Sequence, residues 1–428
     1  MSERAAPAHV DMSVSPDTGT SHLASPHRAD IPTVLFRTID RIARITLNRP
    51  AALNALDLPM IHAIAARLEQ CRADPDIVAV VLDSALDKAF CAGGDVRALL
   101  RPGHDTRADL ERYFADEYRL DFAIHRFPKP VVAIMDAVTM GGGMGLAQGA
   151  SLRVATDRSR IAMPETKIGL VPDVGATHFL AAMPIETALY VGLTGVTLSG
   201  PDALACGLAD VCVPHDTLAG HDSGLDSDLN SGHPSGLDAR LARIDTSGTP
   251  SFDALRAALQ HACAPSASTS GHAASSQAAH APIARQHAWI AEHFRSDRSP
   301  QAIVESLRAA RRALPDDTAA QAERDWLDAT LSALTAYSPT MIHVTREALL
   351  RGRGMTLADS FRMEMGIVIR SIEEGDFREG VRAHLVDKDR APKWDPATLD
   401  AVSRERIEHF MTSPWSPDAH PLRDLGAH

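Results

Sequence analysis

Short apolar runs recur along the first third of the chain, and polar turns separate them. Four of these runs predict β-strands: residues 33–39 (TVLFRTI), 41–47 (RIARITL), 77–83 (IVAVVLD) and 130–136 (PVVAIMD). The last two are almost continuously apolar, which is typical of strands that are buried on both faces. We therefore expect these runs to form strands in the core of the protein.

Helical spacing fills the intervals between the strands. Apolar positions three and four residues apart predict a helix from Asp57 to about Arg72, with Asp57 as its N-cap. A second helix is predicted from about Arg107 to His125. Strands that alternate with helices indicate an α/β fold.

Composition and periodicity together divide the chain into segments. Residues 1–32 and most of 214–283 are rich in Ser, Ala and other small or polar residues and poor in aromatic residues, which is typical of chains without a packed core. Helical periodicity returns after that second stretch. The predicted segments are a disordered N-terminal tail (1–32), an α/β core (33–213), a flexible low-complexity insertion (214–283), a helical C-terminal region (284–400) and a C-terminal tail (401–428).

Overall composition narrows the kind of partner and compartment. The chain has 428 residues, 45% of them hydrophobic, so it is long enough to bury a large core. Its formal net charge of -12 leaves no basic surface for nucleic acid, and no apolar window is long enough for a membrane helix. The five cysteines are odd in number and lack metal-ligand spacing, which argues against disulfides or zinc. With no signal or transit pattern in residues 1–32, we expect a cytoplasmic protein without a metal.

Two glycine-rich segments follow predicted strands. Residues 90–95 (FCAGGD) lead into a helix, and residues 141–146 (GGGMGL) begin another. Free N–H groups at such a helix start favour an oxyanion or phosphate. The alternatives are a plain strand-to-helix turn capped by Asp95 in the first segment, and close packing of helix on strand in the second.

Two carboxylates stand eight residues apart in residues 163–175 (MPETKIGLVPDVG), which are otherwise mostly apolar and glycine-punctuated. Apolar neighbours around Glu165 and Asp173 suggest a dry site in which carboxyl pKa values shift for acid–base work. The alternative makes Asp173 a helix N-cap and Glu165 a surface charge near Lys167. A fourth segment, residues 376–394, carries charges that alone are typical of a solvated helix end and loop.

In this order the segments resemble the crotonase, or enoyl-CoA hydratase/isomerase, superfamily. The matching stretches are ITLNRPAALNAL, AFCAGGDVRALL, GGGMGLAQGASLRVAT and MPETKIGLVPDVGA, spread over about residues 33–213. SPTM at residues 338–341 and DFREGVRAHLVDKDRAPKW at 376–394 resemble the 3-hydroxyisobutyryl-CoA hydrolase branch. The resemblance implies a fold of repeated ββα units with a helical C-terminal region, and hydrolysis of 3-hydroxyisobutyryl-CoA in valine catabolism.

The resemblance also implies a role for each candidate residue. The backbone amides of Gly94 and Gly142 would form the oxyanion hole for the thioester carbonyl. Glu165 would act as nucleophile or general base, and Asp173 would position water or the substrate hydroxyl and shuttle protons. Glu117 would contact the substrate, with a solvent-facing helix acid as the alternative. Coenzyme A is then part of the substrate, and no separate cofactor is implied.

Two other functions compete with hydrolysis. Hydratases carry a glutamate three residues after the second oxyanion glycine, and dienoyl-CoA isomerases also carry an acid there, whereas this chain has Gly145. The departure favours a thioester hydrolase, because a thiolate leaves with little help from a proton donor. A catalytically inactive crotonase-fold binding protein is the second competitor, and a homo-oligomer is compatible with the resemblance.

Overall fold

The computed structural model describes residues 32–101, 103, 105–218, 236–246, 250–263 and 282–427. The predicted N-terminal tail, apart from Pro32, lies outside the described residues, as does much of the predicted insertion. The described residues from Thr33 onward belong to one unit, so the helical C-terminal region packs on the α/β core rather than forming a separate body.

Two sheets form the centre of this unit. The larger sheet has the strand order β1-β2-β3-β5-β7-β9, and the smaller has the order β4-β6-β8. All pairs are parallel except the antiparallel pair β1–β2. The strands are β1 (Val34–Ile39), β2 (Ile42–Leu47), β3 (Ala79–Ser84), β4 (Ala89–Cys91), β5 (Val131–Met135), β6 (Val138–Met140), β7 (Leu152–Thr156), β8 (Arg160–Ala162) and β9 (Val211–Val213).

A repeated unit explains this arrangement. In three successive strand pairs, the first strand joins the larger sheet and the second joins the smaller sheet. Helices α2 and α3 follow the first pair and α4 follows the second, which confirms the predicted ββα repeat. Because β4, β6 and β8 are parallel, the segments that leave their carboxyl ends meet at one edge of the smaller sheet.

The helices follow the predicted pattern closely. The first long helix begins where Asp57 caps it, since that side chain accepts a hydrogen bond from the Met60 amide at 2.9 Å. The helices are α1 (Leu58–Ala73), α2 (Val96–Leu99), α3 (Arg107–His125), α4 (Gly142–Gln148), α5 (Ala176–Phe179), α6 (Ile185–Thr194), α7 (Gly200–Ala205), α8 (Gly236–Leu241), α9 (Phe252–Cys263), α10 (Pro282–His293), α11 (Pro300–Ala313), α12 (Gln321–Ala336), α13 (Pro339–Gly352), α14 (Leu357–Glu373), α15 (Phe377–Val381) and α16 (Arg404–Met411). None of these described helices is both long and apolar enough to cross a bilayer.

Part of the predicted flexible insertion is packed structure. Helices α8 and α9 lie within residues 214–283, and they cover the face of the larger sheet that α1, α3 and α4 leave open. Their buried apolar residues are Leu237, Leu241, Leu255, Leu259 and Cys263. Alternate strand residues point to that face, and they would be exposed without these helices. For the described residues of the segment, the prediction of an unpacked loop is therefore wrong.

An ionic contact also anchors α8. Asp238 on this helix pairs with Arg37 on β1 and with Arg44 on β2, and Arg44 also pairs with Asp83 on β3.

The final segment, predicted only as a C-terminal tail from residue 401, likewise packs on the body. Helix α16 buries Phe410 against α13 and α14, and the buried residues after it are His420, Leu422 and Leu425.

Candidate active site

The two glycine loops meet at the edge of the smaller sheet. Gly94 follows β4, and Gly142 begins α4 after β6. A Cβ atom placed on Gly142 would lie 3.4 Å from the Gly94 amide nitrogen, so the two backbones are neighbours. Among the described backbone hydrogen bonds, none uses the N–H of Gly94 or Gly142 as donor. Two free amides side by side are what an oxyanion requires.

Buried polar groups hold the first glycine loop in place. Tyr113 on α3 donates a hydrogen bond to the Leu56 carbonyl at 2.9 Å, and Leu56 forms a β-bridge with Gly94. Asn54 is fully buried, and its amide donates to the Phe90 carbonyl at 2.9 Å. Asp95 caps α2, as its position after the glycines predicts. The loop is therefore fixed from both sides before any ligand binds.

Glu165 lies beside the second glycine loop. It follows β8, at the start of a short 3-10 helix (Glu165–Ile168), and it is only 6% exposed. A Cβ atom on Gly141 would lie only 3.0 Å from the Oε1 atom of Glu165. Gly141 also has a positive φ of 47°, so both the space and the backbone conformation favour glycine at this position. The alternative of a surface charge is thus wrong. The other carboxyl oxygen, Oε2, is buried without a hydrogen-bond partner in the described structure.

Asp173 is held by a tyrosine and does not cap a helix. Tyr118 on α3 donates its hydroxyl to the Asp173 Oδ2 atom at 2.5 Å. The helix that follows, α5, has Gly175 as its N-cap and no side-chain cap of its own. The capping alternative for Asp173 is therefore wrong, and its carboxyl group remains in the buried interior near Glu165.

Glu117 lies on the same helix as Tyr118 and is also buried. Its Oε1 atom occupies the space that a side chain at Gly142 would need. Glu117 is 2% exposed, so the alternative of a solvent-facing helix acid is wrong. The structure thus brings the five predicted residues together: Gly94, Glu117, Gly142, Glu165 and Asp173.

The space beside Gly145 is closed. A Cβ atom there would overlap Asp121 Oδ2 and would lie 2.8 Å from both the Asp121 Cγ and the Val174 Cβ atoms. Asp121 is one turn beyond Glu117 on α3, and neither of its carboxyl oxygens has a hydrogen-bond partner among the described residues. A glutamate at position 145, as hydratases carry, would require both the Asp121 side chain and Val174 to shift.

Burial dominates the electrostatics of these acids. It raises the pKa of Glu165 well above the ordinary range, and the charges of Asp173 and Glu117 add to the effect. Burial also raises the pKa of Asp173 to about 6, although the hydrogen bond from Tyr118 opposes the rise. The pKa of Glu117 is raised well above its usual value by burial and then by Asp173. No basic group contributes to these three shifts, so protonation is the route by which the cluster limits its charge.

The C-terminal region holds the Glu165 segment from the other side. The Ser338 hydroxyl, in the predicted SPTM motif, donates to Asp376 at 2.5 Å, and the Ser338 amide donates to the Thr166 carbonyl at 3.2 Å. Gly380 on α15 packs so closely on Ile168 that no side chain would fit there. The motif residues 338–341 and 376–380 therefore support the 3-10 helix that carries Glu165.

Sequence reasoning did not single out several residues of this site. Asp121, Tyr113, Tyr118 and Glu364 all lie on helices, and each has the ordinary appearance of one polar position in an amphipathic pattern. The spacing of Glu117 and Asp121, four residues apart on one helix face, is a signal that could have indicated their shared location.

The comparison with known families agrees with the fold. The family model described as enoyl-CoA hydratase/isomerase matches residues 42–411. The chain belongs to this family, and it is a crotonase-type enzyme that processes acyl-CoA compounds.

Individual relatives divide between enzymes and a ribosomal protein. The mitochondrial 3-hydroxyisobutyryl-CoA hydrolase of Xenopus tropicalis is 34% identical over 374 residues, which cover 87% of each chain. The small ribosomal subunit protein mS47 of Neurospora crassa is 32% identical over 422 residues, covering 94% of this chain and 76% of that protein. A solved structure of a carnitinyl-CoA dehydratase from Mycobacterium thermoresistibile has a TM-score of 0.71 and 34% identity, covering 90% of this chain and 97% of the other.

Proposed function

We propose that this protein hydrolyses 3-hydroxyisobutyryl-CoA to 3-hydroxyisobutyrate and free coenzyme A, the reaction of valine catabolism. The observation that carries the proposal is the arrangement of Glu165 and Asp173, two buried carboxyl groups beside the free amides of Gly94 and Gly142. The similarity to the 3-hydroxyisobutyryl-CoA hydrolase of Xenopus tropicalis supports it.

The proposed mechanism follows from where the groups lie. The thioester carbonyl oxygen binds between the Gly94 and Gly142 amides, where the N-terminus of α4 favours the developing negative charge. Ionised Glu165 then either takes a proton from the attacking water or attacks the carbonyl carbon itself. In the first route, the tetrahedral species collapses and its C–S bond breaks. The thiolate receives the proton that water gave up, with Asp173 as the group that passes it on. In the second route, the C–S bond breaks to leave an acyl–Glu165 anhydride and a thiolate. Water then cleaves the anhydride, which releases the carboxylate product and restores the Glu165 carboxylate, while one proton of the water goes to the thiolate and the other to solvent.

Burial adapts Glu165 to this task. Its raised pKa makes the Glu165 carboxylate a stronger base than an exposed glutamate. The thiol leaving group has an ordinary pKa of about 8.5, so its departure needs little assistance. One base and two amides are therefore sufficient for hydrolysis.

The hydroxyl group of the substrate gives Glu117 a role. The pKa of Glu117 is raised, so its carboxyl group is suited to a neutral hydrogen-bonding partner rather than to a cation. It lies against Gly142, next to the place of the thioester carbonyl. We propose that Glu117 and Asp173 bind the 3-hydroxyl of the acyl group.

A hydratase or dehydratase is the second candidate, since the carnitinyl-CoA dehydratase structure is similar over most of the chain. The closed space at Gly145 argues against it, because the second glutamate of the hydratases has no room there. The relationship to protein mS47 favours a non-catalytic binding protein as the third candidate. Four buried acids without a basic partner among the causes of their pKa shifts lie around the pair of free amides: Glu117, Asp121, Glu165 and Asp173. Such a cluster would be a costly feature in a protein without catalysis.

Substitution of Glu165 by glutamine tests the proposal. The change keeps the size of the side chain but removes the charge that attacks or abstracts a proton, so thiol release should fall at least ~1000-fold, or ~4 kcal/mol. Affinity for coenzyme A, measured by calorimetry, should stay within a factor of about three. Glu292→Gln, the same change at an exposed position of α10, is the matched control and should be fully active. A Glu165→Gln variant with more than about a tenth of normal activity would exclude Glu165 as the catalytic group.

A further inference from the structure

Glu364 links the C-terminal helices to the segment that follows Asp173. It lies on α14 and is completely buried. Its Oε2 atom accepts a hydrogen bond from the Gly175 amide at 2.7 Å, and its Oε1 atom accepts from the Thr177 amide at 2.8 Å and the Thr177 hydroxyl at 2.6 Å. Three donors thus converge on one carboxylate from a segment almost two hundred residues away.

The segment held in this way has an unfavourable backbone conformation. Val174 has a φ of 55° and Gly175 a φ of 87°, both in the left-handed region, directly after Asp173. A β-branched residue such as valine rarely adopts that region, so external contacts must stabilise it. Helix α5 has no side-chain cap from its own segment, and the Glu364 side-chain oxygens take the place of one by accepting hydrogen bonds from Gly175 and Thr177.

The same face of α14 also supports the side chain of Asp173, through Tyr118. Phe361, three residues before Glu364, packs its ring on Tyr118 with 5.1 Å between the centroids. Tyr118 donates the hydrogen bond that orients the Asp173 carboxyl group. The Phe361 ring also lies 3.3 Å from where a Cβ atom on Gly175 would stand. One helix face therefore contacts both the backbone after Asp173 and the partner of its side chain.

We propose that Glu364 is a positioning residue of the catalytic site, which fixes the direction of the Asp173 carboxyl group by holding the backbone of residues 174–177. This inference rests on the proposed function only in that Asp173 takes part in hydrolysis. The helical C-terminal region is then part of the catalytic apparatus, because α14 supplies the side-chain acceptor for the Gly175 amide and for the Thr177 amide and hydroxyl.

A double-mutant cycle tests this role. Glu364→Gln keeps the shape of the side chain but replaces one acceptor oxygen by an NH2 group, which cannot accept from Gly175 or Thr177. We expect kcat for 3-hydroxyisobutyryl-CoA hydrolysis to fall at least ~10-fold with KM changed less than ~3-fold. In an Asp173→Asn background the same change should lower kcat less than ~2-fold, since its effect passes through Asp173.

The matched control is Ile369→Val, which removes a buried methyl group at another position of the same helix. Its effect on kcat should be small and equal in both backgrounds. Thr177→Val, which deletes only the hydroxyl donor, is the milder second variant if Glu364→Gln does not fold. It should lower kcat ~3-fold when Asp173 is present and should have no effect in the Asp173→Asn background. Equal losses with and without Asp173 would overturn the proposal.

A crystal structure of the Glu364→Gln or Thr177→Val variant separates this inference from the proposed function. We expect the Asp173 carboxyl group to turn away from Tyr118, with the 2.5 Å hydrogen bond lost or lengthened. An unchanged Asp173 and an unchanged turn at Val174 would refute the positioning role, even if hydrolysis were established. An inactive wild-type enzyme would refute the proposed function but leave this structural comparison valid.

Discussion

At the scale of a single residue, the buried carboxyl group of Asp121 lowers the folding stability of the protein at neutral pH. Burial raises its pKa well above the usual value, and the charges of Glu117, Asp173 and Glu364 raise it further. An unfolded chain releases this proton near pH 4, whereas the folded chain keeps it. Folding stability therefore decreases as pH rises from about 4 towards the raised pKa of the folded state, and it is unaffected below that window.

Asp121→Asn should consequently stabilise the protein at pH 7. The amide has no charge to desolvate, and its NH2 group can donate to the neighbouring acids, so we expect a gain of ~1 to 3 kcal/mol in the free energy of unfolding. At pH 4 the gain should be much smaller, because the aspartate is then about half protonated in the unfolded chain and protonated in the folded one. Urea unfolding at the two pH values measures the difference. A loss of stability at pH 7 would show that Asp121 has a partner that stabilises its charge.

The sequence located some residues of the site and not others, for a physical reason. Glu165, Asp173 and Glu117 were found through motifs that resemble the family, and the acid–base reasoning from their apolar neighbours agrees with their burial. Asp121 and Glu364 matter through contacts between α3, α14 and distant loops. Such contacts depend on how helices pack, and local patterns do not encode that packing.

At the scale of secondary structure, the prediction of a flexible insertion is wrong for the part that forms α8 and α9. Composition averaged over residues 214–283 is that of a flexible linker, yet Leu237 and Leu241, and Leu255 and Leu259, are spaced four apart as on one face of a helix. The strands also indicate that helices cover both faces of the larger sheet, because continuously apolar runs such as 77–83 are buried on both faces. Long, strongly patterned elements were predictable, whereas short helices within a low-complexity segment were not.

Leu259→Ala measures how firmly that layer is attached. Leu259 is completely buried against the larger sheet, so its truncation should cost ~2 to 4 kcal/mol of unfolding free energy. Phe252→Ala, on the same helix but 40% exposed, is the control and should cost less than ~1 kcal/mol. Thermal or urea unfolding compares the two. Equal effects would mean that α9 does not pack on the sheet in solution.

At the scale of the whole molecule, the α/β core supplies the amides and acids, and the C-terminal helices hold them. Ser338 and Asp376 support the Glu165 segment, and Glu364 supports the Asp173 segment. Family resemblance could predict that a helical region follows the core. It could not predict that this region fixes the two loops on which the candidate chemistry depends.

A comparison of two substrates tests whether this site hydrolyses a thioester whose acyl group bears a 3-hydroxyl, as we propose. Thiol release should be measured for 3-hydroxyisobutyryl-CoA and for isobutyryl-CoA, which differ only in that hydroxyl. A site that binds the hydroxyl through buried acids leaves those groups unpaired with the second substrate.

We expect a kcat/KM at least ~100-fold higher for the hydroxylated thioester, equivalent to ~2.7 kcal/mol, and loss of most of that preference in Glu117→Ala. Equal rates on the two thioesters, or no thiol release from either, would contradict it.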